Sequence, residues 1–313
     1  MNSSSVMPQT QSKSSESSVR NRLPVAFSFD VEEHYRIEAA FGLTCPAQTQ
    51  QEYAKRMEQC TRWLVEAVEQ SGGKATFFFV GQIAQTHPHL IREIAQAGHE
   101  IACHSWAHER IHRLTPESFR NDLRLAKQAL EEVSGQKVVG YRAPTFSITR
   151  ETSWAIDALV AEGFSYDSSI FPVRHDRYGI PDAPTQPFWA IGANSKILEL
   201  PPATLRVGRS NLPAAGGGYF RLFPSGILRR AARKRAQDPL GAAVLYFHPW
   251  EFDPDQPKLP LKKLSKWRTY VGISSARKRL QKLLREFESV RMIDLAERAC
   301  TQSLGTFPIG PAC

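Results

Sequence analysis

Cysteine is scarce in this 313-residue chain. There are five (Cys45, Cys60, Cys103, Cys300 and Cys313), an odd number with no Cys-x-x-Cys pair. That argues against a disulfide framework or a thiolate zinc site and favours a reducing compartment. Long apolar runs are missing too: the longest are strand-sized, so no segment reads as a membrane span. Met1 to Arg20 are rich in Ser and Gln and have no apolar core. They read as a disordered tail (residues 1–20), not a secretion signal, and a cytoplasmic location is expected. The basic runs lack the interleaved aromatics of a single-strand-binding platform, which argues against a nucleic-acid partner. No internal repeat is apparent.

What is present begins with charge. The formal net charge is +9, and much of the excess falls in Arg229–Arg235 and between Lys258 and Arg285. Such a balance suits an anionic glycan or peripheral contact with a membrane surface, although a solvated basic face is the more ordinary reading. The length accommodates one α/β barrel of roughly 250 residues with a large core.

Apolar runs alternate with helical patterns along the chain. Val25–Glu32 is a buried strand ending in acids. Glu52–Gln70 has helical spacing, with Met57, Cys60, Leu64, Val65 and Val68 on one side, and Gly72–Gly73 stops it. Lys74–Val80 is a continuous apolar strand, followed by a helix over Gln82–Ala97 and the strand entering His104. Thr115 caps a helix, with Pro116 at its first position, that runs to about Val133. Val138–Pro144 is the next strand, then a helix over Arg150–Glu162 and a strand at Gly163–Ser169. Between Phe171 and Pro224 regularity is lost, apart from an Ile197–Leu200 strand and a Gly216–Phe220 loop. A helix over Leu222–Ala236, a strand over Ala242–His248, a helix over Ser275–Glu288 and a last strand at Val290–Ile293 complete the pattern. The alternation predicts a parallel sheet with right-handed crossovers, an α/β fold.

The richest stretch is Glu100-Ile-Ala-Cys-His-Ser-Trp-Ala-His108. Histidines four apart share a face if the backbone is helical, and two neutral imidazoles can then share a divalent cation. Alone, the same pattern also describes a polar helix start with one satisfied core histidine. No Glu follows His104, so this is not the His-Glu-x-x-His pattern, and a base must come from elsewhere. The strand Val25–Glu32 offers one. Asp30 and Glu32 share a strand face, and two like charges there repel unless a cation or partner lies between them. A solvated acidic turn is the competing reading. Arg142 and His248 also stand at strand ends, and in a barrel of parallel strands those ends gather at one mouth.

From Leu23 to Ala299 the chain resembles the polysaccharide deacetylases of carbohydrate esterase family four. The resemblance rests on Phe29-Asp-Val-Glu32, His104-Ser-Trp-Ala-His108, Arg142-Ala-Pro144, Tyr166-Asp-Ser-Ser169 and the late His248. Residues 21–300 would form the catalytic domain and 301–313 a flexible C-terminus. Within it, 200–298 is similar to a subgroup found with bacterial exopolysaccharide and exosortase (PEP-CTERM) loci. That likeness is carried by Gly216-Gly-Gly-Tyr-Phe-Arg221, His175–Pro181 and His248-Pro-Trp-Glu-Phe252.

The resemblance implies an irregular (β/α) barrel and a hydrolase that removes N-acetyl groups from a glycan. It implies one divalent ion, usually Zn2+ (Co2+, Ni2+ and Fe2+ suit the same ligands), held by Glu32, His104 and His108. It also implies Asp30 as base, Arg142 as its cationic partner and His248 as acid. Pro144, Tyr219 and Trp250 are candidate substrate contacts, with core packing an equal alternative for the two aromatics. Two departures stand out. The family's adjacent Asp-Asp is here Asp30-x-Glu32, which leaves Glu33 open as the ligand. The usual carboxylate orienting the acid histidine is not evident, with Asp167, Asp176 and Asp182 as candidates. A hydrolase of another linear or cyclic amide, or a silent carbohydrate-binding protein, remains open on these residues.

Overall fold

The computed structural model describes residues 22–241 and 243–310. The Ser-rich tail, Ala242 and Cys313 lie outside the described residues. The elements in order are β1 (Pro24–Val31), α1 (Ala47–Gln70), β2 (Thr76–Phe79), α2 (Ile83–Thr86), α3 (Pro88–Gln96), β3 (Glu100–Cys103), α4 (Pro116–Ser134), β4 (Gly140–Tyr141), α5 (Ala155–Ala161) and β5 (Tyr166–Asp167). Then come β6 (Phe188–Ile191), β7 (Lys196–Glu199), the hairpin β8 (Thr204–Val207) and β9 (Ser210–Pro213), α6 (Gly217–Leu222), α7 (Ser225–Ala236) and β10 (Val244–Phe247). The chain ends with α8 (Lys263–Tyr270), α9 (Ile273–Glu286), β11 (Glu288–Val290), α10 (Met292–Cys300) and β12 (Thr306–Pro308).

Parallel strands in the order β10-β1-β2-β3-β4-β5-β7 form the barrel wall, with β6 and β12 extending it beyond β7. The ring closes through single bonds. The Ala203 N–H donates to the Val244 carbonyl at 3.0 Å, and the Tyr246 N–H to the Ala215 carbonyl at 2.9 Å. Gly216 bridges Tyr246 so closely that a Cβ there would fall 1.6 Å from the Tyr246 carbonyl oxygen. This is the distorted (β/α) barrel expected.

The alternation of β1 explains both its burial and its chemistry. Val25, Phe27, Phe29 and Val31 join the main core between the strands and helices, beside Phe77, Phe79 and Phe247. Ala26 turns inward to Phe78, Ala102 and Val244. Ser28 and Asp30 share that inward face, so their polar groups need partners inside the barrel.

Several expectations change. Pro88 splits the Gln82–Ala97 helix into α2 and α3, because proline cannot donate the N–H that would continue the ladder. The Gly216–Phe220 loop is mostly α6, and the expected Leu222–Ala236 helix begins only at Ser225. The last strand ends at Val290, since the Asp294 carboxylate accepts from the Arg291 N–H at 3.1 Å and starts α10. The C-terminus is not a flexible end as far as Gly310: Thr306, Phe307 and Pro308 pair in parallel with β6. Among the described residues the four cysteines are free.

Candidate active site

Asp30 and Glu32 leave β1 on one face, as strand alternation requires, and both are buried. Glu33 points away and pairs with Arg36 at 2.5 Å, so Glu32 faces the site. The Asp30 Oδ1 accepts from the Arg142 guanidinium at 2.7 Å. Arg142 is fully buried at the end of β4. It also donates to Ser28 Oγ (2.8 Å), to the Ser168 carbonyl (3.2 Å) and to Ser168 Oγ (2.9 Å), and lies over the Phe78 ring. A guanidinium tied this way cannot swing away, so Asp30 keeps one oriented free oxygen, Oδ2.

His104 and His108 do converge, but not on a helix. The segment after β3 is a loop in which Ser105 (φ 66°) and His108 (φ 62°) are left-handed, and this turns both rings to one centre with centroids 5.1 Å apart. Asp122 of α4 holds the loop: its Oδ2 accepts from Ser105 Oγ (3.1 Å) and from the Trp106 N–H (2.9 Å). Burial pushes the Asp122 carboxyl up to about 6 against those hydrogen bonds. Nothing local in the sequence marks Asp122, because it lies on the buried face of a helix pattern.

The His104 Nδ1 sits 2.7 Å from the Arg142 carbonyl. A carbonyl can only accept, so Nδ1 carries the proton and Nε2 keeps a free lone pair. Burial holds the ring down to about 4, hence neutral at physiological pH. Burial alone would raise the Glu32 carboxyl. The His108 imidazole against it, with the charged His248 beyond, instead holds it well below its ordinary range.

His248 stands beside Asp30, because β10 is the neighbour of β1 and pairs Phe247 with Phe29. Its Nε2 lies 3.9 Å from Asp30 Oδ2 and 3.8 Å from Glu32 Oε1. Its Nδ1 meets Glu251 Oε1 at 2.9 Å, and its backbone N–H donates to the same oxygen at 3.0 Å. Glu251 Oε2 accepts from Arg221 Nε at 2.7 Å, and Arg221 is anchored on the Thr269 (2.6 Å) and Val271 (3.0 Å) carbonyls. Burial opposes charge on His248. The Glu251 hydrogen bond and the charges of Glu32, Glu251 and Asp30 outweigh it and push the imidazole up to about 9. Burial likewise opposes charge on Glu251, but Arg221 and His248 hold its carboxyl low.

The orienting carboxylate is therefore Glu251 and not one of the three aspartates considered. Asp167 is buried against Ser169, Asp182 pairs with Arg150 at 2.6 Å, and Asp176 lies on the rim beside His175. A spacing of three residues from His248 was the available signal. The capping geometry of the turn Pro249–Phe252, in which Glu251 accepts from the His248 N–H, brings the two together.

Asp30, Glu32, His104, His108, Arg221 and His248 line a cleft of about 260 Å³. Trp250 is on its wall, stacked on His248 with centroids 5.2 Å apart and its Nε1–H donating to Glu32 Oε1 at 3.2 Å. Tyr219 and Pro144 are not on the wall. Tyr219 packs on Phe223, and Pro144 is buried behind the turn whose Ala143, Thr145 and Phe146 do line the cleft. Thr145 (φ 57°) and Phe146 (φ 51°) are both left-handed, a strained geometry for side chains of this size.

Ligand atoms of Glu32, His104 and His108 lie within 4.8 Å of one another. Glu32 Oε2 is buried without a hydrogen-bond partner, and His108 Nε2 comes to 2.5 Å from it. A buried, unsatisfied carboxylate oxygen facing two imidazole nitrogens fits a divalent cation.

Fold and site thus define a class: a (β/α) barrel whose mouth carries a His-His-carboxylate triad beside a carboxylate–arginine pair and a backed histidine. Residues 45–162, somewhat over a third of the chain, match the polysaccharide deacetylase family, so that part of the chain is a polysaccharide deacetylase domain. Residues 168–297 match a domain of unknown function, DUF3473. The first match covers His104, His108 and Arg142; the second covers His248 and Glu251.

The chain is 34% identical over 97 residues to the peptidoglycan deacetylase-like protein FGM2 of Gibberella zeae, covering 31% of this chain and 28% of that one. It is 24% identical over 117 residues to the peptidoglycan-N-acetylglucosamine deacetylase of Bacillus cereus, covering 34% and 42%. These matches span less than half the length of those relatives. A Mycobacterium smegmatis structure assigned to the polysaccharide deacetylases superposes with a TM-score of 0.61 at 25% identity, covering 93% of this chain and 94% of that one. The Puue allantoinase structure, at 15% identity and TM-score 0.62, shares the fold.

Proposed function

We propose that this protein is a metal-dependent hydrolase that removes N-acetyl groups from an amino-sugar glycan. The observation carrying the reading is the cleft itself. Asp30 is fixed by Arg142 on one side, and His248, backed by Glu251 and Arg221, faces it at 3.9 Å beside the ligand triad. Base, acid and ligands are all present in one concave site, which a silent binding protein has no need to keep.

A divalent cation on Glu32, His104 and His108 would polarise the acetyl carbonyl and the attacking water. The chain's own groups do the rest. Asp30 Oδ2 takes the proton of the water as its oxygen bonds the acetyl carbon. His248 Nε2, charged near neutral pH, gives its proton to the sugar nitrogen as the C–N bond breaks, so acetate and a free amine leave. In the strained turn after Arg142 the Thr145 N–H would serve as the oxyanion donor, because the Ala143 N–H is given to Ser169 Oγ and the Phe146 N–H to the Ala143 carbonyl. Trp250 borders the cleft beside His248, where its edge would meet a sugar, and Glu251 keeps the acid's tautomer through the cycle.

The glycan we favour belongs to exopolysaccharide biosynthesis, on the subgroup likeness of Gly216–Arg221 and His248–Phe252. The named activities of the relatives make N-acetylglucosamine oligomers the first substrates to try. The test is acetate release from such oligomers beside small cyclic amides, with and without chelator. Turnover of the oligomers that a chelator stops supports the reading. Turnover of cyclic amides alone, or of neither, overturns it.

A further inference from the structure

The mouth of the cleft carries a second feature that the hydrolytic reading does not use. The sequence from Gln256 to Arg285 contains no acidic residue and ten basic ones. Within it α8 stands at the rim, where Ser265, Arg268 and Thr269 border the cleft. Its outer surface exposes Lys262, Lys263, Lys266 and Arg268, and between them Leu264 (59% exposed) and Trp267 (57% exposed). Leu264 and Trp267 are three apart and so share a helix face. Across the same mouth the segment Ile37–Ala39 also borders the cleft, and just beyond it Phe41 is 67% exposed and Leu43 is exposed too. The two rims are joined by packing of Ile37 and Ala40 with Leu259. Large apolar side chains thus stand in water on both sides of one opening, one of them ringed by cations.

We propose that this rim docks on an anionic phospholipid surface and presents the cleft to glycan at that surface. Charge complementarity selects the occupant. A soluble polyanion would be held by the lysines alone and gives no reason for Leu264 and Trp267 to be exposed. An interfacial helix needs both: basic residues for the acidic headgroups and Trp and Leu to enter the acyl boundary. Indole beside lysine is the pairing that favours the headgroup region. The acids on this rim are few. Glu38 is neutralised by Arg110 and Arg113, and Asp176 stands beside His175. Among the described residues no helix is long and apolar enough to cross a membrane, so the contact is one of lying on the surface. The Thr269 carbonyl at the end of α8 also accepts from Arg221, so docking bears on an element that anchors the Glu251–His248 pair.

The test is co-sedimentation of the full chain with phosphatidylcholine vesicles and with vesicles containing about one quarter phosphatidylglycerol. Neither measurement depends on turnover, so failure here is separate from failure of the deacetylase reading. The expected result is partition onto the anionic vesicles only, weakening as salt rises. The Leu264→Ser/Trp267→Ser variant should lower partition by about tenfold or more while its far-ultraviolet circular dichroism and melting stay those of wild type. Three outcomes overturn the proposal. One is no partition of the wild-type chain. Another is a Lys263→Glu/Lys266→Glu variant that loses binding while Leu264→Ser/Trp267→Ser keeps it, the mark of a polyanion site. The third is a dimer in light scattering that Leu264→Ser/Trp267→Ser converts to monomer, which would show that a second copy covers the face.

Discussion

At the scale of single residues, Asp30 and His248 differ in what supports them, and their variants should differ accordingly. Asp30→Asn keeps its hydrogen bond to Arg142 but loses the proton acceptor. Metal content should hold while turnover falls roughly 10²–10⁴-fold; unchanged turnover would mean that the base lies elsewhere. His248→Gln should lose activity on N-acetyl sugars and keep more of it on an activated ester, whose leaving group needs no proton. Equal loss on both substrates would assign His248 a structural role.

Its partner Glu251 sets a pH signature. The imidazole is raised to about 9 despite burial, so its charged form prevails at neutral pH. That charge stabilises the fold fully below the ordinary histidine value, and the stabilisation is lost as pH rises toward about 9. Activity should fall over the same alkaline limb, and a bound cation offsetting Glu32 would bring that limb lower. Glu251→Gln removes negative charge from Nδ1, so the limb should move further toward neutrality and kcat should drop about 10–100-fold. A pH–rate profile that does not move would remove Glu251 from this role.

At the scale of elements, the loop after β3 and the closure at Gly216 carry the strain that builds the site. Ser105 and His108 adopt left-handed backbone only because Asp122 captures Ser105 and the Trp106 N–H. Asp122→Ala should leave the helix α4 intact yet weaken metal affinity by about 10–100-fold, read by titration with zinc. Gly216→Ala sets a Cβ against the Tyr246 carbonyl and should destabilise the chain by at least ~1–3 kcal/mol in urea unfolding. Activity should fall with it, since β10, which carries His248, is the strand displaced.

At the scale of the whole molecule, a cation bound by three residues from β1 and the loop after β3 binds the folded chain and not the unfolded one. Zinc at about 100 times its dissociation constant should then add roughly 2.7 kcal/mol of stability. A chelator should lower the melting temperature, and His104→Ala/His108→Ala should abolish both the response and the bound ion. A chelator-insensitive melt in wild type would count against the triad as a metal site.

Local pattern alone determined a good deal here. Apolar runs ending in Asp30-x-Glu32, His104, Arg142 and His248 identified the strands and placed the chemistry at their ends. Strand alternation has a fixed period of two, so it selected Asp30 with Glu32 on one face. The rest depended on contacts distant in sequence. That His248 neighbours Asp30 follows from β10 pairing with β1, 217 positions away by the Ser28–Leu245 hydrogen bond, and no local pattern encodes strand order. The histidines converge through left-handed turns held by α4, where the spacing of four had suggested a helix. Glu251 is not legible from its own neighbourhood, because its role exists only once Arg221, from α6, arrives to keep it charged. Tyr219 and Pro144 fell outside the cleft for the same reason: which side of a helix or turn faces a cavity is decided by what packs on the other side.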